Sequence, residues 1–273
     1  MKPETFAALI LVLLLIAAGG WYLYNNMATL APEKPTQPQQ IEKPQAEPQR
    51  LPVPPRNPVP PPRQTPITTE TEPPIPAFPE TLSESDAFLN LRLPQLVANQ
   101  KLLALLQLDH FIEKLVLFID QLPGKEIPRR YLPFKPPQPG FLASGGLAAA
   151  RISPRNEARY ALHVKLVEAI PAQELVQLYR GLYPLFQRAY TEIEPKGYFN
   201  DRLIQVIDHL LQTPEIEGQI PLEKHINRYL YADPDLEARS AGQKILLRMG
   251  LENNRRVKAV LSKVREELIR PDY

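Results

Sequence analysis

Proline is the residue that most restricts this chain, because it donates no backbone hydrogen bond and fixes φ, so helix interiors and central strands exclude it. Seventeen of the 33 prolines lie between residues 31 and 79. A packed core cannot use such a run, so the globular part of the 273-residue chain must begin after it. Residues 83–271 remain, enough to bury a sizeable core. The proline stretch itself is rich in Gln, Glu and Thr and poor in aromatics, which leaves too little apolar area to offset ordering entropy. Residues 25–82 therefore read as a disordered linker. Its prolines favour the stiff polyproline II form. At roughly 3.1 Å per residue, residues 31–82 reach about 160 Å fully extended and nearer 40 Å as a coil. VPPRN and VPPPR, within 53–63, also have the look of PxxP ligands, with a spacer as the plainer reading.

Before the linker, Phe6–Tyr24 is a 19-residue stretch without a charge, about the length of a membrane-spanning helix. Trp21, Tyr22 and Tyr24 cluster at its far end, as at a membrane interface. A cleaved signal peptide is the rival, with Leu9–Ala18 as its apolar region and small residues at 17–19. The apolar run continues past them, which favours an uncleaved anchor. Lys2 and the free amine precede the span and Lys34 is the next basic residue, so residues 1–5 are expected in the cytoplasm and the rest exported. The bilayer is then one partner, through Phe6–Tyr24.

Charge excludes other settings. Residues 1–82 carry 6 Lys/Arg and 7 Asp/Glu, net −1, and residues 83–273 carry 26 and 23, net +3. Neither half has the basic excess of a nucleic-acid domain. The chain has no cysteine, which excludes disulfides, thiolate metal sites and cysteine nucleophiles.

From Leu82 onward the apolar spacing is helical and predicts an all-α domain of about seven helices. Ser85 is placed to cap the first, with Asp86 beside it. Phe111, Leu115, Phe118 and Ile119 define another, ending at Pro123. Residues 123–152 are too long and too rich in Pro and Gly for an ordinary connection. Phe141–Ala143 and Ala148–Ile152 suit short extended pieces. Helix resumes at Ser153-Pro154. Leu175, Leu178, Leu182, Phe186, Ala189 and Ile193 form one stripe that Pro184 should kink or split. Asn200 reads as the cap of the next helix, with Leu203, Val206, Ile207, Leu210 and Leu211 on its apolar face. Residues 222–232 are a short strand or an irregular link. A helix from Asp233-Pro234 should run to Gly250, and Val257, Leu261, Val264 and Leu268 mark the last.

Catalytic patterns are weak. His110 and Glu113 share a helix face, but no HExxH or similar pattern supplies further metal ligands. Asp208 and His209 are adjacent on a helix and so point about 100° apart. The chain lacks a nucleophile elbow, a P-loop and a GxGxxG turn. No catalytic residue, metal or cofactor is expected. Two binding candidates remain. One is the basic loop of Lys125, Arg129, Arg130 and Lys135, suited to a lipid headgroup or an acidic protein face, or simply to helix C-terminal carbonyls. The other is GYFNDR, where Tyr198, Asn200, Asp201 and Arg202 surround a helix N-terminus that can hold an anion, or simply staple and cap that helix. Tyr160, Tyr179, Tyr183 and Tyr190 line a neighbouring groove or, more plainly, the core.

LSESDAFL (82–89), LPGKEIPRRYLPFKPP (122–137), Arg159-Tyr160, LYRGLYPLFQRAY (178–190), GYFNDRLIQVIDHLL (197–211) and YADPDLEARSAGQKILLRMG (231–250) together resemble the DUF3014 family over about residues 82–268. That is a domain of unknown function in Gram-negative bacterial proteins. The resemblance implies a bacterial envelope setting, with an N-terminal membrane segment and a Pro-rich linker, and it assigns no reaction. It also places the basic loop, GYFNDR and SAGQK in the family pattern. The expectation is a single-pass inner-membrane protein whose periplasmic domain is a non-enzymatic module for an envelope protein partner. The alternative is an envelope enzyme or ligand-binding protein for a glycan or lipid, which would need a deep pocket joining the 125–135 loop to Tyr198–Arg202.

Overall fold

The computed structural model describes residues 54–62, 77–146, 149–226 and 228–270. The expected membrane span at 6–24 lies outside them, and among the described residues no helix is long and apolar enough to cross a membrane. These residues are mostly helical, with nine α-helices against the seven expected.

Helices start where the sequence supplies acceptors for the free N–H groups of a first turn. α1, Leu82–Leu96, opens with a capping box between Thr81 and Glu84. Ser85, the expected cap, is buried instead and donates its hydroxyl to the Leu82 carbonyl. Asp86 serves a different helix: its carboxylate accepts the N–H groups of His110 (2.7 Å) and Phe111 (3.0 Å) at the start of α3, Phe111–Gln121. The one-turn α2, Gln100–Leu103, lies between them. The His110 ring reaches Glu113 at 3.4 Å, and among the described residues no three acidic or histidine side chains are grouped to hold a metal ion.

α4, Asn156–Glu168, begins after a turn at Ser153-Pro154 rather than at that pair. α5, Ala172–Thr191, is not split at Pro184. An internal proline costs about 3 kcal/mol, and Leu182, Leu185 and Phe186, buried on either side of it, offset that at roughly 1.5–3 kcal/mol each. α6 is Phe199–Leu211. The single helix expected from Asp233 to Gly250 is two, α7 (Pro234–Glu237) and α8 (Ala241–Arg248), because the Ser240 hydroxyl accepts the Gln243 N–H and starts the second afresh. Gly250, at φ 89°, separates α8 from α9, Leu251–Ile269. The SAGQK motif lies at the start of α8, where Ala241 and Gly242 donate to the carbonyls of Gly124 (2.7 Å) and Leu122 (2.9 Å). Free donors of one helix thus meet free acceptors at the end of α3.

The main core joins α1, α3, α5, α6 and α9 around Phe199, which is 0% exposed. A second cluster joins Leu122, Val164, Val206, Leu210, Leu246 and Met249. A third lies under two small antiparallel hairpins. β1 (Ala143–Ser144) pairs with β2 (Arg151–Ile152), in the region expected to be extended. β3 (Leu222–Lys224) pairs with β4 (Tyr229–Tyr231), which resolves the ambiguous 222–232 segment as a hairpin. Bonds from Ile152 N–H to Ile220 and from Leu222 N–H to Ala150 join the two hairpins.

The long Pro-rich connection after α3 is stapled by α4. Prolines leave a segment short of N–H donors and long on carbonyl acceptors, so donors must come from elsewhere. Asn156 donates to Leu142 and accepts from it. Arg159 donates to the carbonyls of Pro137 and Pro139, and His163 Nε2 to that of Lys135. This accounts for Arg159 of the Arg159-Tyr160 motif, whereas Tyr160 packs against the second core cluster.

Part of the expected linker belongs to the fold. Phe78 packs its ring 5.4 Å from that of Phe88 and lies directly over Gly181 of α5, where a Cβ would meet it at 2.1 Å. An alanine inside a helix is ordinarily about 1 kcal/mol better than glycine. Gly181→Ala is therefore expected to lower the melting temperature of the chain by expelling Phe78, and to raise it when Phe78 is already alanine. A stabilising Gly181→Ala in the otherwise unchanged chain would show that Phe78 does not occupy this position.

Candidate peptide-binding site

The GYFNDR motif sits where α5 hands over to α6. Gln187 of α5 holds this turn: its Oε1 accepts the Phe199 N–H (2.9 Å) and the Tyr183 hydroxyl (3.0 Å), and its Nε2 donates to the Gly197 carbonyl (2.9 Å). Gln187, not Asn200, thus caps α6, which starts at Phe199. Phe199 enters the core, stacked on Phe186 at 5.5 Å with 7° between the rings. With Phe199 fixed, the next two side chains are aimed back toward the proline segment.

Residues 54–62, read from the sequence as disordered linker, dock there. The Asp201 carboxylate accepts three hydrogen bonds, from the N–H of Arg56 (2.9 Å), the N–H of Asn57 (2.8 Å) and Asn57 Nδ2 (2.9 Å). Asn200 Nδ2 donates to the Asn57 carbonyl at 2.9 Å. Asn200 is 1% exposed. Its Oδ1 accepts the Tyr179 hydroxyl at 3.1 Å, which turns the amide so that its donor faces Asn57. Burial raises the pKa of Tyr179 well above its ordinary value, with Tyr183 and Asp201 adding to it. Its hydroxyl therefore stays protonated, and the orientation of Asn200 is fixed. Tyr183 is shifted the same way, by burial first and then by Asp201. Two of the candidate groove tyrosines are thus the support behind this site.

Within PPRNPVPPP only Arg56, Asn57 and Val59 have an N–H. Asp201 takes two of those three, at the one place where adjacent residues both offer a donor. Pro55, Asn57, Val59 and Pro60 are half-buried, while Pro54, Arg56, Pro58, Pro61 and Pro62 are exposed.

Arg202 faces elsewhere. It donates to the Asp120 carboxylate (2.8 Å) and carbonyl (2.8 Å), and to Gln205 (2.9 Å). It closes the C-terminal end of α3 and is not free for an anion. Tyr198, Asp201 and Arg202 line a cleft of about 900 Å³ together with Arg56, Asn57, Asp208, His209 and Arg265. Asp208 is ion-paired to Arg265 of α9, whereas His209 bonds the Ser240 hydroxyl at 2.9 Å. The two adjacent side chains thus diverge, as their helical spacing requires. Burial lowers the His209 pKa, with Arg239 and Arg202 assisting.

The basic loop is not brought to this cleft. Lys125 Nζ donates to the Ala238 carbonyl at 2.6 Å, at the end of α7. Arg129 and Arg130 stand in a 3-10 turn, Arg129–Tyr131, with the Arg130 guanidinium 4.6 Å from the Tyr131 ring centre. Lys135 is held through its backbone, by Leu105 and His163, and its side chain is exposed. The residues that sequence reasoning missed are Gln187, Arg56 and Asn57. The one available signal was the N–H pair at 56–57 in a run otherwise nearly without donors.

Fold and site together define a mostly helical domain that clasps a proline-rich segment of its own chain. The chain belongs to the DUF3014 family, described as a protein of unknown function, whose model matches residues 111–265. Tyr179, Gln187, Asn200 and Asp201 fall inside that match, and residues 54–62 lie outside it. No curated protein and no solved structure matches the chain.

Proposed function

We propose that the protein is a single-pass inner-membrane protein, anchored through 6–24 with its N-terminus in the cytoplasm, whose periplasmic DUF3014 domain is a non-enzymatic interaction module. The observation that carries this reading is the capture of residues 54–62 by Asn200 and Asp201. The family motif is there engaged with a peptide main chain, the kind of contact a protein-recognition site makes. The hydropathy of 6–24 and the proline linker support the tethered placement, which restricts a partner search to one membrane surface and raises local concentration. The glycan or lipid alternative needs the 125–135 loop beside Tyr198–Arg202, and the four basic residues of that loop lie outside the cleft.

Two measurements test the proposal. A reporter active only outside the cytoplasm, fused after Tyr273, is expected to be active; activity only of a cytoplasmic reporter overturns the topology. A photo-crosslinking residue at Tyr198 is expected to capture a defined envelope protein. Capture of glycan or lipid alone would instead support the alternative.

A further inference from the structure

We propose that the clasp is a general recognition site for a proline-flanked Xaa-Asn-Pro peptide, and that residues 54–62 are its tethered occupant, which a partner segment of the same chemistry displaces. This rests on reading the clasp as an interaction site and specifies what that site recognises. The contacts consist of two adjacent N–H groups, one carbonyl and one side-chain amide. None of them requires that the peptide be joined to the domain. Any two adjacent residues other than proline supply the main-chain part, and an asparagine amide at the second position adds a further bond to Asp201. Prolines on both sides hold the peptide extended before it binds, so little ordering entropy is lost. The Arg56 side chain takes no part in these bonds, so the first position tolerates substitution. The tethered occupant acts at an effective concentration in the millimolar range, so a partner gains the site by binding more tightly or by arriving when 54–62 is drawn away.

The test uses the full chain in detergent and a labelled synthetic peptide, PPRNPVPPP. In the chain, Arg56→Pro with Asn57→Pro removes both N–H groups and the side-chain amide, and so opens the site. The opened chain is expected to bind the peptide at least about tenfold more tightly than the unchanged chain. Adding Asp201→Ala should abolish binding. A peptide with Asn57→Ala should bind about tenfold more weakly, and one with Arg56→Ala within about threefold of the original. Equal binding to opened and unchanged chains, indifference to Asp201→Ala, or no binding to an opened chain that melts as the unchanged one does would each overturn the proposal. Hydrogen exchange at Arg56 and Asn57 in the unchanged chain separates the two claims. Protected amides with no binding in trans leave the clasp intact and sink only the recognition of partners, whereas unprotected amides sink the clasp itself.

Discussion

Replacing Asp201 with alanine is expected to release residues 54–62 from the domain while leaving the helices folded. Three hydrogen bonds end on this one carboxylate, and bonds to a charged acceptor contribute about 1.5–3 kcal/mol each where they are shielded from water. This site is only half shielded, so the lower end of that range is the fair one. Loss of the set should still speed amide exchange at Arg56 and Asn57 by roughly a hundredfold or more. The domain itself loses little: an acidic residue in the first turn of a helix is worth about 0.3–1 kcal/mol. Asp201→Asn, which keeps one acceptor oxygen, should give an intermediate exchange rate. Unchanged exchange at both amides in Asp201→Ala would show that the carboxylate does not hold the segment.

Phe199→Ala is expected to have the largest effect on stability. The ring is fully buried and lies within 5.5–6.4 Å of the rings of Phe186, Tyr190 and Tyr179. Truncating such a residue costs about 3–5 kcal/mol, out of a total that is usually 5–15 kcal/mol. For a domain of this size the melting temperature should fall by about 10 °C or more. Exchange at Arg56 and Asn57 should accelerate as well, since Asn200 and Asp201 are placed by the turn that Phe199 anchors. Phe199→Leu fills much of the space and should show less than half the loss. Thermal melts of the two variants decide it, and a fall of only a degree or two in Phe199→Ala would mean that the aromatic cluster does not centre on this residue.

How much of this was legible in the sequence follows from the range of the interactions. Helical periodicity depends on neighbours three and four apart, so the helices around Phe111, Leu182 and Leu203 were visible. Gly250 and Asp233-Pro234 are local signals too, and both mark boundaries. Capping by a distant side chain is not local. Asp86 caps α3 from α1, and Gln187 caps α6 from α5, whereas the nearby Ser85 and Asn200, local cap signals in the sequence, are buried and bonded elsewhere. Pro184 misled because its cost is local whereas the packing that offsets it is tertiary. The site was half legible. GYFNDR stands out, but its proposed use, an anion at a helix end, needs the first N–H and Arg202 free, and these are engaged by Gln187 and Asp120. Composition correctly marked 54–62 as unable to build a core. It could not reveal that a segment without a core of its own can dock on another, for which two adjacent N–H groups suffice.

The clasp also sets the order in which the chain yields to force. A pull applied N-terminal to residue 54 meets the Asn57–Asp201 contact before it meets the core. While that contact holds, residues 63–76 add nothing to the distance between the load and the domain, whatever path they take. Once it opens, load passes next to Phe78 on Gly181 and then to α1. The 24 residues from 54 to 77 then span about 25 Å as a relaxed coil and up to about 75 Å drawn straight, and the connection lengthens by whatever exceeds the distance they bridged before. The segment is thus a strain relief: a stretch of chain held by the side chains of Asn200 and Asp201, let out before any helix unfolds.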